Sequence, residues 1–378
     1  MVWQPAQGEE QYYSTPAPAD SQGAFGQLLA QVTRAGADPT FGRSTLPRSP
    51  LELALTKDHP WREGKVLTGK QDGSEWVSYQ VWEPRAGVPL KDADLLFIHG
   101  INDYGGKFAT HADLFLDAGY RLLIPDLPSH GRSTGIHCYV PDMEALADAV
   151  YAVLSDVLLE DSKLVKSADG SFKQRRKIFV AGQSLGGFTA ALTCLKYGSL
   201  DSAETTELKA DDSFKPKISG GCFLCPMLAI NPETMPAYPV QLLARGIASF
   251  AGPLPLASAN KGKNSEDPDV EEQFQRDPQT YHGKLRVGTG LAILSGLIDI
   301  NKNMEALKIP FIIHHGTGDR VTSYHGSEKL YASASSTDKE LKLYEGYEHI
   351  LLRKGRDEQD DHRRQTVLKD MLEWLEKH

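Results

Sequence analysis

Residues 182–186 read Gly-Gln-Ser-Leu-Gly, which places one serine, Ser184, between two glycines. Glycines suit a serine held in a cramped turn, where a β-carbon on the neighbouring residues would collide with adjacent backbone. The apolar run 177–182 before the serine predicts a strand, and residues 185–196 predict a helix. A serine on such a strand-turn-helix is typical of a nucleophile that attacks a carbonyl carbon. We therefore predict that Ser184 is a catalytic nucleophile.

A serine hydroxyl is a weak nucleophile near neutral pH, so it requires a base within hydrogen-bond reach and an acid that orients the base. In the architecture that carries this motif, the acid follows the serine in the chain and the histidine follows the acid. Asp319 lies in a turn just after an apolar run at 310–315, and His349 lies in a loop just after a second predicted strand at 340–344. The other histidines beyond Asp319 open helices or end the chain. We predict His349 as the base and Asp319 as the acid.

The negative charge that forms on the attacked carbonyl oxygen must meet preplaced N–H donors. These donors normally come from the residue after the nucleophile and from the loop after the third strand. The corresponding residues are Leu185 and Ile101, the latter in the run His99-Gly100-Ile101. Only their backbone N–H groups are needed. We expect the side chain of His99 to brace the loop rather than to transfer protons.

The rest of the chain must position these residues. Short apolar runs alternate with helix-like stretches from residue 94 to residue 225 and again from 310 to 377. Such alternation predicts an α/β fold with a mostly parallel sheet covered by helices on both faces. Ahead of it, residues 65–69 and 75–82 predict a strand pair around the turn signal Asp72-Gly73.

Two segments depart from this alternation. Residues 1–55 are rich in Pro, Gly, Ser, Gln and Ala without a sustained period, which predicts an irregular arm. Residues 226–308 are first Pro-rich, then charged, then apolar. We predict that they form an inserted cap over the carboxyl ends of the strands, where open α/β sheets place their ligand sites. The α/β core is then expected at 56–225 and 309–378.

Composition argues against several classes of function. The chain of 378 residues has a net charge of −9, which disfavours a nucleic-acid partner because phosphate backbones are bound by clustered Lys and Arg. No secretory signal and no membrane span is visible, and four cysteines in so long a chain favour a reduced, cytoplasmic protein. Cys222 and Cys225 lie in an apolar run without a second ligand pair, and the adjacent His314 and His315 must point to opposite faces of a strand. We therefore expect no metal and no cofactor.

Five segments together resemble the monoglyceride lipase family of the α/β-hydrolase fold. They are residues 99–107, 126–135, 182–187, 315–321 and 344–349. The resemblance implies a serine ester hydrolase that cleaves monoacylglycerols through Ser184, Asp319 and His349, with Ile101 and Leu185 as the oxyanion hole. It also implies a mobile apolar cap that receives the acyl chain and touches membranes.

In the same family an acidic and a basic residue after the His-Gly pair help to bind the glycerol hydroxyls. Here these residues align with Asp103 and Lys107, where the family usually has Glu and Arg. Because Lys lacks the planar fork of Arg, recognition of the polar head group can differ. A surface salt bridge is the alternative interpretation of this pair.

Other functions of the same architecture stay open at this point. They are a broader carboxylesterase or lysophospholipase, an acyltransferase, a serine aminopeptidase, and a ligand-binding protein that keeps the hydrolase shell. Dehalogenases and epoxide hydrolases are disfavoured because they carry Asp where this chain has Ser184. Within the expected cap, Leu243, Ile247 and Phe250 share one helical face, which is typical of packing and also of contact with a membrane or lipid-droplet surface. The expected localisation is cytoplasmic, with peripheral membrane contact as an open alternative.

Overall fold

The computed structural model describes residues 3–18, 38–68, 74–164, 176–198, 216–229, 237–257 and 264–378. Its strands, in chain order, are β1 (Trp61–Leu67), β2 (Trp76–Trp82), β3 (Ala93–Ile98), β4 (Arg121–Pro125), β5 (Lys177–Gln183), β6 (Gly220–Leu224), β7 (Pro255–Ala257), β8 (Leu285–Arg286), β9 (Phe311–Gly316) and β10 (Lys339–Tyr344). Its α-helices are α1 (Glu10–Tyr13), α2 (Pro50–Asp58), α3 (Ala109–Asp117), α4 (Glu144–Leu164), α5 (Leu185–Tyr197), α6 (Tyr238–Ala251), α7 (Pro268–Arg276), α8 (Val287–Asn303), α9 (Tyr324–Ser333) and α10 (Glu358–Lys377). Short 3-10 turns lie at Arg43–Thr45, Gly105–Phe108 and Met304–Ala306.

Within the described residues, eight strands form one sheet in the order β1-β2-β4-β3-β5-β6-β9-β10. The pairs β1–β2 and β2–β4 are antiparallel, and every later neighbour in this order pairs parallel. The predicted α/β fold with a mostly parallel sheet is therefore confirmed. The strand pair at the start of the sheet is also as predicted, whereas its turn signal Asp72-Gly73 lies outside the described residues.

Apolar side chains cover both faces of this sheet. All the side chains of β3 are buried, as expected for a central strand of a parallel sheet. Leu96 of β3 joins the cluster that packs against α4 and α5, whereas its neighbour Leu95 joins the cluster that packs against α3 and α10. Because the parallel strands run in the same direction, the loops after β3, β5, β6, β9 and β10 meet at one edge. Those loops carry the predicted site residues.

Between β6 and β9 the chain forms α6, α7 and α8 together with β7 and β8, which pair antiparallel in a small sheet of their own. Helix α8 packs onto the core, since Ile293, Leu297 and Ile300 belong to the same apolar cluster as α4 and α5. Helix α6 differs, because Leu243 and Phe250 on it are 66% and 81% exposed. The interpretation of residues 226–308 as a cap stays a prediction.

No helix among the described residues combines the length with the apolar composition that crossing a bilayer requires.

The segment before the core is more regular than the expected irregular arm. Helix α2 begins at a capping box, in which the Ser49 hydroxyl accepts from the N–H of Glu52 at 3.2 Å and the Glu52 carboxylate accepts from the N–H of Ser49 at 2.8 Å. Regular structure thus extends into residues 50–55, whereas the interpretation of 1–55 as an irregular arm stays a prediction. The physical reason is that a capping box satisfies the first orphan N–H groups of a helix, a local signal that the aperiodic composition concealed.

Candidate active site

Ser184 lies between β5 and α5 in a backbone conformation that few residues adopt. Its φ is 59° and its ψ is −118°. The turn depends on its glycines: a β-carbon on Gly182 would lie 2.4 Å from the carbonyl oxygen of Gly186, and one on Gly186 would lie 2.1 Å from the carbonyl oxygen of Ile98. Such strain persists only where the surrounding structure holds it, and it is characteristic of a nucleophile presented at a sharp strand-to-helix turn.

The side chains of Ser184, His349 and Asp319 form one hydrogen-bonded row. Nε2 of His349 lies 2.9 Å from Oγ of Ser184, and Nδ1 of His349 lies 2.7 Å from Oδ2 of Asp319. Because an ionised carboxylate can only accept, Nδ1 carries the ring proton and Nε2 is left to accept from the serine hydroxyl. All three residues are buried. The structure thus brings together the three side chains that sequence analysis selected from chain order.

Asp319 is held by more donors than His349 alone. Its Oδ1 accepts from the N–H groups of Val321 at 2.7 Å and Thr322 at 2.9 Å, and its Oδ2 accepts from the Thr322 hydroxyl at 2.7 Å. Burial by itself raises the pKa of Asp319, but the neighbouring His349 and His315 outweigh burial and hold that pKa well below its usual range. Asp319 is therefore ionised at working pH and can stabilise a positive charge on His349.

Two residues that contact Asp319, His315 and Thr322, were missed by sequence analysis. Nε2 of His315 lies 3.3 Å from Oδ2 of Asp319, whereas the adjacent His314 lies 2.8 Å from the Tyr344 hydroxyl on the other side of β9. The alternation of β9 that keeps the two histidines apart was predicted correctly. The unused signal was spacing, because an aspartate in a turn commonly accepts from the backbone N–H groups that follow it, which places Thr322 beside Asp319.

The loop after β3 lies against the predicted nucleophile. A β-carbon built on Gly100 would lie 3.5 Å from the β-carbon of Ser184. Two residues further on, Asn102 has a φ of 67°, and its carbonyl oxygen accepts from the N–H of Tyr281 in the insertion at 2.9 Å. Ile101 lies between these two anchors, and Leu185 is the first residue of α5, where N–H groups have no intrahelical partner. These positions are compatible with a pair of N–H donors to an oxyanion, a role that stays a prediction.

His99 braces this loop. Its Nδ1 donates to the carbonyl oxygen of Gly100 at 2.7 Å, and its Nε2 accepts from the N–H of Leu127 at 3.0 Å. Burial lowers the pKa of His99 to about 4, so the ring is neutral at physiological pH. Both ring nitrogens are engaged with backbone, which leaves His99 in the bracing role expected from the sequence.

Asp103 and Lys107, both in the segment after β3, form an ion pair that lies beside the insertion. Nζ of Lys107 lies 3.3 Å from Oδ1 of Asp103 and 5.0 Å from the ring centre of Phe274 in α7. Burial raises the pKa of Asp103, with Lys107 opposing the rise. Burial would lower the pKa of Lys107, but Asp103 and Asp277 raise it above its usual value. The salt bridge is thus the observed arrangement, and a role of the pair in binding glycerol stays a prediction.

Cys225, Asp319 and His349 are the described residues whose possible ligand atoms lie close enough for a metal ion, all within 4.8 Å of one another. A metal binds the thiolate, but burial, and the charge of Asp319 after it, raise the pKa of the Cys225 thiol well above its usual value. Asp319 and His349 are also already bonded to each other. We therefore interpret this cluster as a hydrogen-bonded row and not as a metal centre.

The chain is similar to several proteins of known family or structure. A family model described as serine aminopeptidase, S33, matches residues 90–355. Caffeoylshikimate esterase of Arabidopsis thaliana is 34% identical over 282 residues, which cover 74% of this chain and 76% of that protein. Human monoglyceride lipase is 24% identical over 282 residues, which cover 73% of this chain and 80% of that protein. The crystal structure of a soluble variant of Saccharomyces cerevisiae monoglyceride lipase with a substrate analog matches with a TM-score of 0.63 at 24% identity, covering 83% of this chain and 94% of the other, and it has the same fold.

Proposed function

The chain belongs to the serine aminopeptidase S33 family of α/β hydrolases, and we propose that it is a carboxylic ester hydrolase that cleaves monoacylglycerols or similar acyl esters. The observation that carries the proposal is the unbroken row from Ser184 through His349 to Asp319 on a strained strand-to-helix turn. That row contains a nucleophile, a base and an orienting acid at bonding distance, which is the minimum set for acyl transfer to serine.

In the proposed reaction, Oγ of Ser184 attacks the acyl carbon of the ester while Nε2 of His349 takes the hydroxyl proton. His349 becomes positively charged, and the ionised Asp319 stabilises that charge from the other side of the ring. The tetrahedral intermediate then collapses, His349 returns the proton to the departing alcohol, and the acyl group stays on Ser184. A water molecule then attacks the acyl group on Ser184 while His349 again takes and returns a proton, and the fatty acid is released.

The oxyanion of each tetrahedral intermediate is proposed to accept from the backbone N–H groups of Ile101 and Leu185. Support comes from the closeness of Gly100 to Ser184, where a β-carbon on Gly100 would reach the Ser184 β-carbon, and from the position of Leu185 at the start of α5, where the helix dipole also favours negative charge. Preplaced donors of this kind typically contribute about 10²–10³ in rate.

The proposed substrate rests on the relatives named monoglyceride lipases and on the polar pair beside the site. Lys107 offers a hydrogen-bond donor and Asp103 an acceptor within one ion pair, which suits the hydroxyls of a glycerol head group. The insertion, residues 226–308, is proposed to cover the acyl chain. The exposed apolar side chains of α6, among them Leu243 and Phe250, support contact of this cap with a lipid surface that delivers the substrate.

A second candidate substrate is a phenolic acyl ester of a polyol acid. It is favoured by one observation, the higher identity to caffeoylshikimate esterase, 34% against 24% for human monoglyceride lipase over similar lengths. The same nucleophile, base and acid serve either ester, so this alternative differs only in what the pocket accepts.

The proposal is tested by the kcat/KM of the purified protein over a panel of substrates. The panel contains monoacylglycerols of short, medium and long chain, an aryl acetate, caffeoylshikimate and an aminoacyl amide, with glycerol added in a parallel series to detect acyl transfer. We expect the highest value for a medium or long monoacylglycerol and release of free fatty acid, with Ser184→Ala inactive on all of them. A highest value for the aryl acetate or the amide would overturn the proposal, and one for caffeoylshikimate would select the second candidate.

A further inference from the structure

Asp319 has a second histidine beside it, and this ring approaches the same carboxylate oxygen, Oδ2, that His349 approaches. His315 is the penultimate residue of β9, and its Nε2 lies 3.3 Å from Oδ2 of Asp319. Both side chains are completely buried, with no solvent exposure. A polar contact between buried groups is not weakened by competing water. The position of the His315 ring therefore influences the charge distribution of the Asp319 carboxylate strongly.

The orientation of the His315 ring is set by Ser327 in α9. Oγ of Ser327 lies 2.7 Å from Nδ1 of His315, and Ser327 is fully buried as well. A hydrogen bond from His315 to the ionised Asp319 carboxylate, which can only accept, places the ring proton on Nε2. Nδ1 is then the acceptor, and the hydroxyl of Ser327 is the donor. In this tautomer the Ser327 hydroxyl holds the ring with Nε2 toward Asp319.

We propose that His315, held in one tautomer by Ser327, is a positioning residue that fixes the charge and direction of the Asp319 carboxylate for His349. The inference rests on the proposed function, because it assigns a role within the same row. It extends that row to five side chains, in the order Ser327, His315, Asp319, His349 and Ser184.

The ionisable and polar groups around His315 are compatible with this role. Asp319 faces Nε2, and the Thr322 hydroxyl lies 3.4 Å from the same nitrogen. From the end of β6, the thiol of Cys225 lies near Asp319 and keeps its proton, because burial raises its pKa. Nδ1 of His349 lies 2.7 Å from Oδ2, the same carboxylate oxygen that His315 approaches. The nearest charge to His315 among these groups is therefore the carboxylate that it is proposed to hold.

The role is distinguished from that of an ordinary core histidine by the pH dependence of kcat/KM. If His315 no longer donates, more of the negative charge of Asp319 faces His349, which favours the protonated ring. In His315→Leu we therefore expect kcat to fall about tenfold with KM nearly unchanged, and the acid limb of the profile to move up by about half a pH unit. His315→Gln restores an N–H donor and should recover most of the kcat.

Ser327→Ala tests the same link while keeping the side chains of Asp319 and His315 themselves. Loss of the hydroxyl frees the ring to place a lone pair toward Asp319, so the acid limb should move in the same direction by a smaller amount. The matched control is His314→Leu, which removes a neighbouring buried histidine that bonds to Tyr344 on the opposite face of β9. It should lower the melting temperature and leave kcat and the acid limb unchanged.

A folded His315→Leu protein with wild-type kcat and an unmoved acid limb would overturn the proposal, as would the same shift in His314→Leu. Should His315→Leu fail to fold, Ser327→Ala decides, and an unmoved acid limb in that variant would be equally damaging. Labelling of Ser184 in the wild-type protein by a fluorophosphonate distinguishes failure of the proposed function from failure of the positioning role. An unlabelled wild type refutes the proposed function, whereas normal labelling with unchanged kinetics in the variants refutes only the positioning role.

Discussion

Ser265 donates its hydroxyl to the carboxylate of Glu348 at 2.8 Å and so ties the start of α7 to the residue that precedes His349. The N–H of Glu266 donates to the other oxygen of the same carboxylate, also at 2.8 Å. Nearby, Arg353 lies 3.1 Å from Asp267, the N-cap residue of α7. The insertion is therefore hydrogen-bonded to the loop that carries the proposed base. A substitution that breaks these bonds should alter the position of that loop.

Replacing Glu348 should loosen that loop. In Glu348→Ala both hydrogen bonds to the insertion are lost, so we expect the free energy of unfolding to fall by about 1–2 kcal/mol. We also expect kcat to fall several-fold, because His349 is less firmly placed. Urea unfolding and steady-state kinetics measure the two effects. Glu345→Ala, an exposed position in the same loop, is the control, and a Glu348→Ala protein with unchanged kcat would show that the link has no bearing on the reaction.

Gly186 should tolerate no side chain. In Gly186→Ala the new methyl would lie 2.1 Å from the carbonyl oxygen of Ile98, a rigid backbone atom, so the turn at Ser184 must move. We expect loss of more than about 3 kcal/mol of stability and of nearly all activity. The matched control is Gly246→Ala in α6, where a β-carbon meets nothing within 4 Å. It should stabilise the protein by about 0.5–1 kcal/mol, and equal effects of the two substitutions would contradict the strained turn.

Buried neutral histidines should make the protein sensitive to acid. Burial lowers the pKa of His99 to about 4 and that of His314 to about 3. Below a pH of about 6.5, the usual pKa, the unfolded chain gains protons that the folded chain does not take up. These histidines therefore do not reduce the free energy of unfolding above about pH 6.5. As the pH falls from there toward about 4, the free energy of unfolding decreases by about 1.4 kcal/mol per pH unit for each such group.

The contribution of one histidine is isolated by comparing variants. Urea midpoints of His314→Gln and of the wild type, measured between about pH 7 and about pH 5, should differ in slope, with the variant less sensitive to acid. His325→Gln replaces an exposed histidine and should retain the wild-type slope. Identical slopes for all three proteins would argue against a pKa lowered by burial at His314.

Tyr12 should anchor the segment before the core. Its hydroxyl donates to Oδ1 of Asp277 at 2.7 Å, and the Tyr104 hydroxyl donates to Oδ2 at 3.0 Å. Burial raises the pKa of Asp277, with Lys107 opposing the rise, so the carboxylate depends on its donors. In Tyr12→Phe we expect a loss of about 1–3 kcal/mol by urea unfolding. Tyr13→Phe, which loses only a 3.5 Å contact with Gln273, should lose less, and equal losses would contradict the anchoring role.

Sequence analysis anticipates which side chains lie together where the signal is local in the chain. Ser184, Asp319 and His349 each follow a strand, and strand ends can be recognised from apolar runs, so their order sufficed to select them. It failed where a side chain meets a distant partner. The bond between Tyr12 and Asp277 joins residues 265 positions apart, and no periodicity indicates it. The sequence indicated His315 only as one of two adjacent histidines on a strand. Its contact with Asp319 depends on how the turn after β9 folds back, which the sequence does not show.

The central claim is that Ser184 is the nucleophile of an ester hydrolase, and covalent labelling tests it most directly. The protein is incubated with a long-chain fluorophosphonate, and its intact mass and peptide map are recorded. We predict one adduct for each chain, on the peptide that contains Ser184, with labelling and monoacylglycerol hydrolysis both absent in a folded Ser184→Ala variant. A folded wild-type protein that takes up no label, or a Ser184→Ala variant that is labelled and active, would contradict the claim.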